Sequence, residues 1–162
     1  MAVLECVAYL FYPSLLGFLY TQAATFFPSV FSVLYFFAPV LLFAGWFWAG
    51  SRYAVRIKNP ALAILAGNSL GILSLAIYLW QEFLAPERVN WLQQLAQYFS
   101  AALLPLTVGL VAQFSPEVDG VTQVSNTALQ CAGLVLVALA FTGGYFYRRN
   151  KDKLAKTEPR RP

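Results

Sequence analysis

The distribution of charge constrains this chain more than any other feature. From Cys6 to Ser51 there are 46 consecutive residues without a charged side chain, and between Lys58 and Glu82 there are 23 more. An α-helix needs about 20 apolar residues to cross a hydrocarbon core roughly 30 Å thick. The first run is too long for one crossing and fits two joined by a tight hairpin, and the second run fits one. Only 11% of the 162 residues are charged and 59% are hydrophobic, whereas a soluble domain carries about 25% charged residues. The chain therefore reads as a single all-α membrane domain over residues 1–147, followed by a basic tail over 148–162 that is expected to be disordered.

The run that starts at Pro60 carries a packing code as well as a spanning length. Ala63, Gly67 and Gly71 recur every fourth residue, which makes one side of a helix a shallow groove where a neighbouring backbone can approach. Asn68 lies beside that groove. An amide in hydrocarbon is costly unless it finds partners, so Asn68 is expected to face another helix and to act as packing glue. Near the other end of the chain Ala132, Ala140 and Gly144 form a second ridge of small residues. Gln130 is placed to hydrogen-bond across to another helix.

Expected spans are 3–20, 29–50, 60–81 and 127–147. Thr21, Gln22 and Pro28 mark a turn between the first two, and Pro13 and Pro39 each remove one internal hydrogen bond and kink their helices. The first segment has Glu5 where a secretory leader would be basic, so it reads as a retained helix with Glu5 in the headgroup region. Trp46, Phe47 and Trp48 followed by Arg52, Arg56 and Lys58 resemble the boundary between hydrocarbon and water.

The stretch 91–114 is ambiguous. Its first half sets Leu92, Leu95, Phe99 and Leu103 along one face, Asn90 and Gln93 resemble a capping box, and Pro105 then interrupts the backbone ladder. If this stretch does not cross, ten of the eleven cations lie on one side, with Arg88 alone opposite. If it crosses as a fifth span, Arg52, Arg56 and Lys58 fall on the side away from the tail, against the tendency of cations to stay inside. Charge thus favours four transmembrane helices plus one amphipathic or re-entrant element, both termini cytoplasmic, in a bacterial-type inner membrane.

The chemistry is sparse. The chain has no histidine, which removes imidazole-ligated haem, di-histidine zinc sites and histidine acid–base catalysis. Cys6 and Cys131 sit in apolar runs without a metal-binding spacing. Glu82, Glu87, Glu117 and Asp119 read as solvated loop charges of the outer face, and no acid lies at membrane depth. No cofactor, metal or nucleic acid is expected. Arg148, Arg149, Lys151 and Lys153, with Arg52, Arg56 and Lys58, are read as topology determinants that also touch anionic lipid headgroups. The expected function is a non-enzymatic accessory or scaffolding subunit that packs against a membrane-protein partner or a second copy of itself. The alternative is a homo-oligomeric permeation unit whose path is lined by Asn68, Ser69, Ser74 and Pro105.

Overall fold

Prolines and short polar side chains set the helix boundaries in the computed structural model, which describes residues 2–157. Helix α1 runs Ala2–Phe26 and α2 runs Pro28–Arg56. Only Phe27 separates them, and Pro28 opens α2 where a missing N–H costs nothing. The first helix was expected to stop at residue 20, and instead it continues through the polar pair. The Thr21 hydroxyl donates to the Gly17 carbonyl at 2.9 Å and the Thr25 hydroxyl donates to the Thr21 carbonyl at 3.0 Å. Hydroxyls satisfied inside the helix leave no reason to end it.

The second uncharged run does not form one helix. Helix α3 spans Pro60–Gly67 and α4 spans Ser69–Phe83, with a bend of 54° between them. Asn59 caps α3, its side chain accepting from the Ala61 and Leu62 amides at 3.0 and 3.3 Å. At the break, the Asn68 side-chain amide donates back to the Ile64 carbonyl at 2.9 Å, the kind of local bond that bends a helix. Helices α5 (Asn90–Ala101) and α6 (Leu104–Ala112) follow, bent by 87° from one another. Pro105 lies in the first turn of α6 and starts a helix there. The expected capping box is replaced by another arrangement, because Asn90 is already helical and the Gln93 amide donates to Glu82 at 3.0 Å.

A short antiparallel hairpin joins α6 to the last helix, pairing β1 (Glu117–Val118) with β2 (Val121–Thr122). Asp119 and Gly120 have φ of 53° and 76°, the left-handed pair that a two-residue hairpin turn requires. Helix α7 then runs Asn126–Thr157. The tail expected to be disordered is therefore helical over 148–157, where Arg148 and Asp152 form an (i, i+4) ion pair at 3.2 Å. Residues 158–162 lie outside the described residues.

Two glycines lock the most extensive interface, that between α2 and α7. A Cβ at Gly50 would strike the Phe141 carbonyl, and one at Gly144 would strike the Phe47 carbonyl. Each helix thus supplies a glycine to the other's backbone, the close approach that small residues permit. Around this crossing Leu42, Trp46, Ala49 and Tyr53 of α2 meet Val137 and Phe141 of α7, with Phe99 and Leu103 closing the core. The spacing of the α2 residues is one helical face. A third close approach sets Gly17 of α1 against the Tyr98 carbonyl of α5.

Contacts gather the start of α1, the α2–α3 connection and the far part of α7 at one basic end. The Glu5 carboxylate pairs with Arg56. The Tyr145 hydroxyl reaches the Ile57 and Lys58 carbonyls at 2.9 and 3.0 Å, and Arg149 donates to the Lys58 carbonyl at 3.4 Å. Among the described residues, two helices are long and apolar enough to cross a membrane, Phe31–Arg56 within α2 and Asn126–Ala155 within α7. The number rises to four if each bent pair, α3 with α4 and α5 with α6, is one span. The outward surface is apolar, with Phe36 73%, Val40 61% and Leu139 62% exposed.

The α2–α7 crossing yields a first prediction. Gly144→Ala should destabilise the protein by about 2 kcal/mol or more, because the new methyl meets backbone rather than a movable side chain. Gly109→Ala, at a position with open space around it, should be neutral or slightly stabilising. Unfolding midpoints in detergent compare the two variants.

Candidate functional site

Asn68 sits where the core meets the broken helix pair. Its side-chain oxygen accepts a hydrogen bond from the Trp46 indole at 3.2 Å, and both side chains are almost wholly buried, 2% and 1% exposed. Together with the bond to Ile64, this satisfies the amide on both sides. Trp46 is in turn held between rings, with Phe99 at 6.3 Å and nearly perpendicular and Phe141 at 5.9 Å. Trp46 was expected at the water boundary with Trp48. Instead it anchors the core, and Trp48 remains the exposed one at 47%.

The groove of small residues is filled, though not by a backbone. A Cβ at Gly67 would meet the Phe141 ring, and one at Gly71 would meet the Phe99 ring and Leu134. Ala63 is fully buried beside Ala54 and Tyr145. The space left by missing side chains is thus occupied by aromatic rings of α5 and α7. Of the second ridge, Gly144 makes the backbone contact already described, while Ala132 and Ala140 are half-buried and Ala140 packs on the core. Gly50 and Gly17 make equivalent contacts; neither is among the small residues singled out by spacing, although Gly50 with Ala54 and Gly17 with Thr21 and Thr25 share the four-residue spacing.

Residues grouped by sequence as a permeation path have separate surroundings. Asn68 is sealed by Trp46, and Ser69 is exposed with its hydroxyl donating to the Ala66 carbonyl at 2.9 Å. Ser74 lines an apolar recess of about 210 Å³ between α1, α4 and α5, with Phe11, Leu70, Ile77 and Leu92 around it. Pro105 is half-buried at the start of α6.

A second recess, of about 180 Å³, was not anticipated. Thr21, Gln94, Gln97, Tyr98, Asn126 and Gln130 line it where α1, α5 and α7 converge, and none of these side chains is charged. At its edge the Ser100 hydroxyl donates to the Gln130 side-chain oxygen, the cross-helix bond expected of Gln130. The glutamines at 93, 94 and 97 are the signal in the sequence. The buried face of α5 is in fact Ala96, Phe99 and Ser100, leaving Leu95 54% exposed.

Six charged side chains form three ion pairs. Glu82 accepts from Arg88 at 3.2 Å and from Gln93, while Gln81 beside it is fully buried and accepts from the Val89 amide at 2.7 Å. These bonds fix the turn between α4 and α5. Arg56 pairs with Glu5, Arg148 with Asp152, and Arg52 lies over the Trp48 ring with its guanidinium carbon 5.0 Å from the ring centroid. Among the described residues no group of three or more Cys, Asp or Glu side chains is close enough to hold a metal ion. Comparison with protein-family models, curated proteins and solved structures finds no match to this chain.

The buried amide and indole give a second prediction. Trp46→Phe leaves the Asn68 oxygen without its donor and should cost about 1–3 kcal/mol beyond the loss of ring area. Adding Asn68→Leu should recover part of that loss, so a double-mutant cycle should give a coupling of about 1 kcal/mol or more. Denaturant unfolding of the four proteins in detergent measures it.

Proposed function

We propose that this is a multi-pass membrane protein with a structural role, an accessory or scaffolding subunit that packs against a membrane-protein partner. One observation carries the reading: several buried polar side chains pair inside the fold while large apolar side chains point outward. Trp46 with Asn68, Ser100 with Gln130 and Tyr145 with the Ile57 and Lys58 carbonyls are all closed pairings inside the fold. Against them stand exposed Phe26, Phe27, Phe36, Phe37 and Val40 around the α1–α2 hairpin. A surface of that kind suits lipid or another apolar helix, since soluble monomers seldom expose contiguous apolar patches beyond a few hundred Å². The basic end, with Arg52, Lys58 and Arg149, suits the cytoplasmic side of the bilayer.

Native purification tests this. The full chain extracted from its own membrane in mild detergent should elute with a stoichiometric second membrane protein, and Phe36→Ala with Val40→Ala should reduce that recovery without changing the melting temperature. Recovery of the chain alone, as monomer or homo-oligomer, with the same elution for the double variant, contradicts the accessory-subunit reading.

A further inference from the structure

Beyond the glycine contacts of α2 and α7, toward the basic end, the two helices leave an open recess of about 440 Å³. Trp48, Ser51, Arg52, Val55 and Arg148 line it. Gly50, next to Ser51 in the chain, and Gly144, one turn before Arg148, hold the two backbones in contact. Arg52 is stacked on Trp48, which limits its rotamers and leaves the N–H edge of a planar guanidinium to hydrogen-bond. Arg148 comes from the other helix, with its Nε 3.2 Å from Asp152 Oδ1. That contact is an ion pair only, since the Arg148 Nε–H makes no hydrogen bond. The Ser51 hydroxyl donates to the Trp48 carbonyl at 2.6 Å, so it shapes the recess without offering a donor to a ligand.

Charge at this end is one-sided. Among the described residues, Arg52, Arg56, Lys58, Arg148, Arg149, Lys151 and Lys153 outnumber Glu5 and Asp152 there, a net of +5. Two guanidiniums converging from different helices suit an oxyanion with several acceptor oxygens, and phosphate matches their fork geometry. A half-exposed indole beside them is the ordinary companion of a lipid glycerol region.

We propose that this recess binds a phosphate-bearing anion, with Arg52 and Arg148 holding the phosphate oxygens and Trp48 lying along the group attached to them. The site rests on the membrane reading, not on the identity of any protein partner. Phosphate chemistry could come from an anionic phospholipid headgroup or from a soluble phosphate.

Native mass spectrometry of the purified full chain in detergent, titrated with phosphatidylglycerol or phosphatidylcholine, tests the proposal. Phosphatidylglycerol should bind about tenfold more tightly, and Arg52→Gln or Arg148→Gln should each weaken it about tenfold, the loss of one charged hydrogen bond. Lys151→Gln, outside the recess, should bind as the parent does. Val55→Trp fills the recess without altering charge and should also weaken binding, so the proposal stays testable if an arginine variant folds poorly. Equal affinity for the two lipids, an unchanged Arg52→Gln/Arg148→Gln double variant, or an equal loss in Lys151→Gln overturns it. Competition by glycerol phosphate or inorganic phosphate assigns the site to soluble phosphate, and indifference to them assigns it to lipid. Loss of lipid selectivity while a protein partner still co-purifies removes this site and leaves the subunit reading intact.

Discussion

The hydrogen bond from the Trp46 indole to the Asn68 side chain joins parts of the fold that nothing else brings together so directly. Trp46 belongs to the long helix α2, Asn68 to the break between α3 and α4, and the rings that hold Trp46 come from α5 and α7. An amide in an apolar interior must be satisfied on both of its atoms, since each unpaired group costs a few kcal/mol. Asn68 meets that requirement by bending its own helix toward Ile64 on one side and accepting from Trp46 on the other. The 54° bend is therefore the geometric consequence of placing an amide there. It also directs α4 toward α5, against which it packs.

Much of the helical organisation was legible because charge and proline placement report it. Pro28, Pro60 and Pro105 all lie in the first turn of a helix, and the uncharged runs fall within α1–α2 and α3–α4. Less legible was how polar residues would be used. Thr21 and Gln22 mark a turn by composition, yet the hydroxyls of Thr21 and Thr25 bond back to the preceding turn and let α1 continue. Asn68 was recognised as facing another helix, but a spacing rule cannot reveal that it would also break the helix. The two tryptophans near residue 47 are two positions apart and so point to different sides of α2. Only the neighbours supplied by α5 and α7 decide that Trp46 is the inner one.

Small-residue spacing was an incomplete guide to close packing. Ala63, Gly67 and Gly71 share one four-residue spacing and yet meet aromatic rings, whereas Gly17 and Gly50, followed at the same spacing by Thr21 and Ala54, touch carbonyls. A glycine leaves space of one shape, and what enters depends on which side chains the facing helix has at that height. Long-range placement, absent from local sequence, governs that choice. The charged groups follow the same logic. Arg56 and Arg148, grouped by sequence with the lipid-facing cations, find acids in Glu5 and Asp152.

The inner and outer faces of α2 are thus the physical core of the proposed function, in which the buried inner face holds the core and the apolar outer face is the one offered to lipid or a partner. A nitroxide scan along α2 in lipid vesicles, comparing access of oxygen with that of a water-soluble nickel chelate, tests this most directly. The expected result is high oxygen access at Phe36, Phe37 and Val40, low access to both probes at Ala38, Leu42 and Ala49, and a helical period of about 3.6 residues between them. Nickel-chelate access at Phe36 and Val40, or loss of that period, would contradict a membrane-embedded α2 with one buried face.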